Sequence, residues 1–406
     1  MKNRIKDAII GLCVGDALGV PVEFMTREAL KFDPVTDMRE YGTYHKPRGT
    51  WSDDTSMTLC LLDSLASGLE YEDIMKKFVS WYKEGAYTQY GEAFDIGMCT
   101  RESIQRYLNG VEPLECGGIG ERDNGNGSLM RILPLLFYLQ YHYEPDFQRN
   151  DEVFEVIHNV SGLTHGHKRS QVGCGIYLSL ASMLTEQKDL KRALKSGIER
   201  AFDYYNDKED FKEESKAYHR LLNENFDLLD EAQIKSSGYV VDSLEAAVWC
   251  LMNTQSYAEC VLKAVNLGED TDTVAAIAGG LAGLYYGLEQ IPVEWVDAIL
   301  NRELIFDLSD HLFGALISEK IKTISIYIPY FEIANGRTVC NYRNGYPDYD
   351  QTMLDFVSAV EMSNLMDHAY LKTVEKYGIN DWNVNTLLDN FLKVQIFVIH
   401  RSHIPQ

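Results

Sequence analysis

Residues 264–287 read AVNLGEDTDTVAAIAGGLAGLYYG, and this stretch decides the fold class. An acidic, hydroxyl-bearing segment, 268–273, leads directly into an apolar run that is rich in glycine and alanine. Such a run predicts an α-helix, and its small side chains favour deep burial and close packing. Helical spacing continues through most of the chain, and strand-like alternation is scarce before residue 323. The sequence therefore predicts an all-α main domain.

The composition is that of a folded, acidic protein. The chain has 406 residues, 45% hydrophobic and 24% charged, so it can bury a sizeable core. Its 61 acidic against 38 basic residues give a formal charge of −23, which makes nucleic acid an unlikely partner. Eight scattered cysteines without a C-x-x-C pair predict reduced thiols in a cytoplasmic protein. No uncharged stretch is long enough to predict a membrane span. We also expect the protein to be a monomer.

The pattern of the sequence changes after residue 318. The segment TISIYIPYFEI, residues 323–333, alternates apolar and polar residues like a strand, and a turn-rich segment follows it. We therefore predict a main domain over residues 1–318 and a small α+β C-terminal accessory domain over residues 319–406. Several tyrosines in the accessory domain favour core packing over a partner surface, and its role is open.

Two acidic segments stand at the predicted starts of apolar helices. In the first, SDDT at residues 52–55, the serine is a candidate N-cap, and the helix dipole alone favours acidic residues in a first turn. The second, EDTDT at residues 269–273, has more carboxylates than capping requires. Buried, unpaired carboxylates are costly, so the two segments need cations if they converge. Oxygen ligands without Cys or His at ligand spacing select a hard ion such as Mg²⁺ or Mn²⁺.

Three further segments combine glycines with polar side chains. GDALGVPVE, residues 15–23, is predicted to break the first helix and to leave two acids, Asp16 and Glu23, near the break. DNGNGSLMR, residues 123–131, is a glycine-interleaved loop suited to presenting backbone N–H groups to phosphate, and the predicted helix ILPLLFYL follows it. THGH, residues 164–167, places two histidines close together. Each segment is weak evidence alone, because Gly-Asn loops are usually turns.

Together, and in this order, the five segments resemble the ADP-ribosylglycohydrolase family, which includes the dinitrogenase-reductase-activating glycohydrolases. The resemblance covers roughly residues 3–290. It implies an orthogonal, all-α helical bundle with a two-metal centre in a cleft that binds ADP-ribose. It also implies an enzyme that cleaves the N- or O-glycosidic bond at C1″ of ADP-ribose in modified protein side chains, with two Mg²⁺ or Mn²⁺ ions as cofactors.

The resemblance also implies roles for individual residues. The implied metal ligands are Ser52, Asp53, Asp54, Asp270, Asp272 and Thr273. The implied substrate contacts are Asp16, Gly125, Asn126, Gly127, Ser128 and His165. The catalytic candidates are Glu23 for the leaving group and Asp54 or Asp272 for the attacking water, by the two-carboxylate logic of glycoside hydrolysis. The sequence departs from the family pattern in two places: Asp123 and Asn124 stand before the glycine loop, where relatives often have a small or aromatic residue, and Glu269 stands where many relatives have glycine.

The acceptor released from ADP-ribose cannot be read from these motifs. The expected partner is an ADP-ribosylated protein or a small ADP-ribose derivative. Two alternatives therefore stay open: a hydrolase of a small derivative or of an ADP-ribosylated nucleobase, and a non-catalytic ADP-ribose-binding protein. Retention of all six implied ligands disfavours the non-catalytic alternative.

Overall fold

The computed structural model describes residues 3–143 and 150–324 and four short strands between residues 332 and 347. The chain divides into two compact units, Arg4–Asp310 and a second unit of residues 1–3 and 311–406. Up to residue 324 the described chain is helical, which confirms the all-α prediction. The α-helices are α1 (Arg4–Gly19), α2 (Arg27–Phe32), α3 (Asp53–Leu65), α4 (Tyr71–Glu84), α5 (Met98–Leu108), α6 (Pro134–Tyr143), α7 (Asp151–Gly162), α8 (Lys168–Glu186), α9 (Leu190–Asn206), α10 (Glu209–Ser215), α11 (Val240–Met252), α12 (Tyr257–Val265), α13 (Thr271–Tyr286), α14 (Val293–Ala298) and α15 (Arg302–Ile324).

Helices α1 and α13 form the most extensive contact between any two described elements. A β-carbon on Gly11 would collide with the carbonyl oxygen of Gly279. One on Gly15 would collide with the carbonyl oxygen of Ala275. Because these glycines lie four residues apart, on one face of α1, the two backbones approach directly. The contact brings the end of α1 beside the start of α13, where the acidic segment lies.

The structure confirms that the first helix ends within residues 15–23. Helix α1 runs to Gly19, and the 3₁₀ turn Val20–Val22, which contains the proline, follows it. Gly15 and Gly19 also have a second role, because each is a contact position against the backbone of α13. A correction concerns ILPLLFYL, because α6 begins at Pro134 and the two preceding residues are not helical.

The C-terminal prediction is only partly within the described residues. Helix α15 passes through Thr323 and ends at Ile324, so the predicted strand does not begin at Thr323. Isoleucines at 317, 321 and 324 continue the helical spacing, which explains the longer helix. Strand β1 (Glu332–Ala334) pairs antiparallel with β2 (Arg337–Val339), and β3 (Tyr342–Arg343) pairs with β4 (Tyr346–Pro347). The rest of 325–406 lies outside the described residues, and the boundary after residue 318 stays a prediction.

Other composition-based expectations concern thiols and membranes. The described cysteines, which are all except Cys340, form no disulfide with one another. Among the described helices, none combines the length and apolar character needed to cross a bilayer. Cytoplasmic location and a monomeric state stay predictions.

Candidate metal centre

Helix α3 begins at the predicted cap, Ser52. Its hydroxyl accepts the backbone N–H of Asp54 at 3.3 Å and donates to the Asp54 carboxylate at 3.0 Å. The Thr273 hydroxyl, in the first turn of α13, donates to the same carboxylate oxygen at 3.2 Å. The two acidic segments therefore converge, as the hard-cation hypothesis required.

Asp16 of α1 reaches the start of α3 as a second cap. Its carboxylate accepts the backbone N–H of Ser52 at 2.9 Å and the N–H and hydroxyl of Thr55 at 3.1 and 2.6 Å. Burial raises the pKa of Asp16 to about 6, although the hydrogen bonds from Thr55 and Ser52 oppose the rise. Asp16 thus fixes α1 against α3, and its contact with substrate stays a prediction.

Two groups of three carboxylates share Asp272. Oxygens of Asp16, Asp54 and Asp272 all lie within 4.8 Å of one another, and so do oxygens of Glu23, Asp95 and Asp272. Asp16, Asp54 and Asp272 are almost completely buried, and Glu23 is only 6% exposed. Within the described residues, no lysine or arginine forms an ion pair with any of these five carboxylates.

The burial and mutual repulsion of the carboxylates in this cluster favour the binding of a cation. Burial raises the pKa of Asp54 well above its usual range, and Asp16 raises it further. Burial and then Glu23 act in the same way on Asp272. In the described part of the chain, Asp54 Oδ1, Asp272 Oδ2 and Glu23 Oε2 are buried without a hydrogen-bond partner. Unpartnered carboxylate oxygens held together against their repulsion suit a hard divalent cation, so these residues fit Mg²⁺ or Mn²⁺.

The other two implied carboxylate ligands, Asp53 and Asp270, lie beside these groups. Burial first, then Asp95 and Asp54, raise the pKa of Asp53 well above its usual range. The Asp270 carboxylate accepts a hydrogen bond from the Asn126 side chain at 2.8 Å. Asn126 therefore connects the glycine loop to the carboxylate cluster. The six-residue ligand set stays a prediction, since the geometry groups Asp54 and Asp272 with three carboxylates outside that set.

Asp95 carries none of the sequence signals that marked the other residues. It lies in the loop between α4 and α5, two residues before Gly97, the N-cap of α5, with a left-handed φ of 56°. The Tyr44 hydroxyl donates to Asp95 Oδ1 at 2.6 Å, and an Asp95 oxygen lies within 4.8 Å of oxygens of Glu23 and Asp272. Two residues distant from each other in sequence thus assemble around Glu23, and no local pattern could have revealed them.

The loop at residues 125–128 packs on His165. A β-carbon on Gly127 would lie 2.8 Å from His165 Cε1, so the ring requires glycine above it. Burial and then Arg131 lower the pKa of His165 to about 3, which keeps the ring neutral near pH 7. The backbone N–H of Asn126 donates to the Gly238 carbonyl at 3.1 Å, so it is not available to a phosphate.

Two other residues near this loop are turned inward. Ser128 is fully buried, and its hydroxyl accepts the Ser161 hydroxyl at 3.0 Å. The carboxylate of Asp123 accepts the Gly120 N–H at 2.8 Å, which occupies that acid in a turn. The assignments of Gly125, Gly127, Ser128 and His165 as substrate contacts stay predictions.

Arg131 supplies positive charge beneath the same loop. It is fully buried and donates to the carbonyls of Gly127 and Val160 at 3.1 and 3.0 Å. Burial lowers its pKa to about 10, so the guanidinium still carries its charge at neutral pH. The Arg131 guanidinium also lies over the Phe78 ring at 5.0 Å, and within the described residues it forms no ion pair with a carboxylate. Its positive charge therefore lies directly below the glycine loop, within an otherwise acidic protein.

The fold and the site define a class of all-α proteins with a buried acidic centre between helix ends and a glycine loop beside it. Residues 1–321 match the sequence profile of the family described as ADP-ribosylglycohydrolase, and the chain belongs to that family. It is therefore a hydrolase that acts on ADP-ribosylated substrates, and the non-catalytic alternative is set aside.

Named relatives and a solved structure agree with this family. The chain is 31% identical to the ADP-ribosylarginine hydrolase Tri1 of Serratia proteamaculans (strain 568), over 77% of this chain and 79% of that protein. It is 30% identical to the ADP-ribosyl-[dinitrogen reductase] glycohydrolase of Rhodospirillum rubrum, over 74% and 93% respectively. A solved structure titled ADP-ribosylglycohydrolase-related protein complex superposes with a TM-score of 0.62 at 30% identity, covering 78% of this chain and all of that one.

Proposed function

We propose that the protein is a divalent-metal-dependent hydrolase that releases ADP-ribose from modified protein side chains, with arginine as the favoured acceptor. The observation that carries the metal dependence is the pair of carboxylate groups that share Asp272, with three buried oxygens that lack a hydrogen-bond partner among the described residues. The arginine acceptor is supported by the activity named for the Serratia relative. ADP-ribosylated serine, small ADP-ribose derivatives and nucleobases are the alternative substrates.

Asp16, Asp54, Asp272 and Asp95 would hold the ions, together with the family-implied ligands Ser52, Asp53, Asp270 and Thr273. When bound, two Mg²⁺ or Mn²⁺ ions would act as Lewis acids, orient the ribose hydroxyls and lower the pKa of water. The glycine loop at residues 125–128 would bind the pyrophosphate, and the buried Arg131 beneath it would contribute through its charge.

The chain's own carboxyl groups provide the proton transfers. In the reaction, water attacks C1″, the bond between C1″ and the acceptor breaks, and the acceptor takes a proton. Burial, followed by Asp95, raises the pKa of Glu23 to about 9, so in the metal-free site this group holds a proton near neutral pH. A protonated carboxyl at the cluster edge is suited to protonate the leaving acceptor. Asp54 and Asp272 are both candidates for accepting the proton of the attacking water.

The test measures ADP-ribose release from an ADP-ribosylated protein with Mg²⁺, with Mn²⁺ and with a chelator. We expect release to require the metal and to fall at least about a hundredfold in Asp54→Asn and Asp272→Asn proteins. Asp207→Asn, a change of the same kind at an exposed helix end, is the matched control and is expected to retain full activity. Near wild-type turnover in either centre variant, or full activity in chelator, would contradict the two-metal proposal.

A further inference from the structure

Phe24 and Glu269 lie side by side at the rim of the carboxylate cluster. The Phe24 N–H donates to the Glu269 carbonyl at 2.7 Å, and the Glu269 N–H donates to the Met25 carbonyl at 2.8 Å. Phe24 follows Glu23 in the chain, and Glu269 precedes Asp270. The two bonds therefore join the segment that carries Glu23 to the segment that starts α13.

Both residues have a backbone that suits glycine better. Their φ angles are 65° and 62°, in the left-handed region that costs free energy for any residue with a β-carbon. Non-glycine residues in this region concentrate at functional sites, where the surrounding structure holds them. Here the paired hydrogen bonds hold the two backbones together, so an exposed aromatic residue and an exposed acidic residue lie next to each other.

Neither side chain is used by the fold. Phe24 is 68% exposed and Glu269 is exposed, although each is next to a cluster carboxylate. Among the described residues, the Glu269 carboxylate has no hydrogen bond or ion pair. The neighbouring cation, Arg27, donates instead to the backbone carbonyls of Leu267, Glu231 and Ile234, at 2.8, 2.6 and 2.6 Å. The rim therefore exposes the Phe24 ring and the Glu269 carboxylate to solvent.

We propose that Phe24 and Glu269 together bind the guanidinium group of an ADP-ribosylated arginine and thereby select this acceptor. This inference rests on the proposed function. A guanidinium is a planar cation that stacks on an aromatic face and donates paired hydrogen bonds to a carboxylate. It keeps its positive charge when ADP-ribose is attached to one nitrogen. A serine acceptor has neither the charge nor the plane, so this pair discriminates against it.

The experiment compares two peptides of the same sequence, one ADP-ribosylated on arginine and the other on serine, with the metal-loaded enzyme. In Glu269→Gln, which keeps the side-chain shape and removes only the charge, we expect KM for the arginine-linked peptide to rise about three- to tenfold. Phe24→Leu is expected to act in the same direction. In both variants kcat and the serine-linked reaction stay within about twofold of wild type. Agmatine, a free guanidinium, is expected to inhibit the wild type more strongly than either variant.

The matched control is Glu224→Gln, which removes one charge from an exposed turn and is expected to change neither substrate. If KM for the arginine-linked peptide is unchanged in both variants, the pair does not bind the guanidinium group, and the proposed function is unaffected. An equal rise of KM for both peptides also overturns it, because the pair would then contact ADP-ribose itself. If the wild-type enzyme hydrolyses neither peptide, the proposed function fails and this inference fails with it.

Discussion

Thr273 in the first turn of α13 donates a hydrogen bond to Asp54 in the first turn of α3, at 3.2 Å. These residues are 219 positions apart in the chain, yet their helices start at the same point of the fold. The convergence concentrates carboxylates that no described lysine or arginine neutralises. Stability and activity should therefore both depend on what neutralises them.

The first prediction concerns metal-linked stability. In Asp272→Asn, one carboxylate is removed from both groups that share it, so repulsion in the metal-free protein decreases. We expect this variant to melt at a higher temperature than wild type in chelator, and to gain little from Mn²⁺. The wild type should gain about 2.7 kcal/mol when free metal is a hundredfold above its Kd. Thermal melts with and without Mn²⁺ measure both effects, and an equal Mn²⁺ shift in the two proteins would refute this prediction.

The second prediction concerns Tyr44, which holds Asp95 in place. Tyr44→Phe removes a hydrogen bond to a carboxylate, an interaction of about 1.5–3 kcal/mol, so kcat/KM should fall roughly ten- to a hundredfold. The control is Tyr87→Phe, because the Tyr87 hydroxyl donates to Asp63 at 2.7 Å in a matching Tyr–Asp pair. Steady-state kinetics of both variants are the measurement. A similar loss in the two proteins would mean that the effect is general and not specific to the site.

The third prediction concerns the contact between α1 and α13. Gly15→Ala places a β-carbon against the carbonyl of Ala275, so the helices must separate. We expect a loss of about 1–3 kcal/mol in the free energy of unfolding, with weaker metal binding because the two helices carry Asp16 and Asp272. Gly314→Ala in α15 meets open space and should be neutral or stabilising by up to about 1 kcal/mol. Urea denaturation distinguishes the two, and equal effects would contradict the packing argument.

The fourth prediction concerns Glu245, a buried acid outside the centre that pairs with Arg220 at 3.0 Å. Burial raises its pKa from 4.5 to about 7, although Arg220 acts to lower it. A raised pKa means that the folded state binds the proton more tightly than the unfolded state. The stability from this group is thus complete below pH 4.5 and is lost as the pH rises through about 7.

Glu245→Gln should remove this part of the pH dependence. We expect the variant to lose less stability than wild type between pH 5 and 8, with Mg²⁺ present in both samples to keep the centre occupied. Glu224→Gln, at an exposed turn, is the control and should follow the wild-type curve. The measurement is the free energy of unfolding by denaturant across that pH range. If it depends on pH in the same way in Glu245→Gln and in wild type, Glu245 does not contribute to the pH dependence.

Several residues of the site could be predicted from the sequence because they lie at the starts of helices. Ser52 was predicted as the cap of α3, and the structure confirms it with the hydrogen bond from the Asp54 N–H. From the residues alone, convergence of this helix start with the acidic run before α13 was only a condition for a cation site, and the Thr273 bond to Asp54 shows that the two segments meet. Helix caps and first turns follow local rules, so local patterns reveal them.

Other features had no local signal. Asp95 reaches the centre from a loop and accepts a hydrogen bond from Tyr44, which lies in another loop. The glycines of α1 were predicted to break the helix, but their contact with α13 had no local signal, since the partner that requires them lies more than 250 positions away. Asp16 serves as a cap for a helix other than its own, which no rule about neighbouring residues anticipates.

The all-α fold of the main domain, the family and the two acidic helix starts follow from the sequence alone, because periodicity, capping and motif order are properties of neighbouring residues. The tertiary structure was needed to show which carboxylates meet. That depends on the backbone contact between α1 and α13, which brings Asp16, Asp54 and Asp272 within 4.8 Å of one another. The tertiary structure was also needed to show that Phe24 and Glu269 share a rim, because the bonds between their segments join residues distant in the chain.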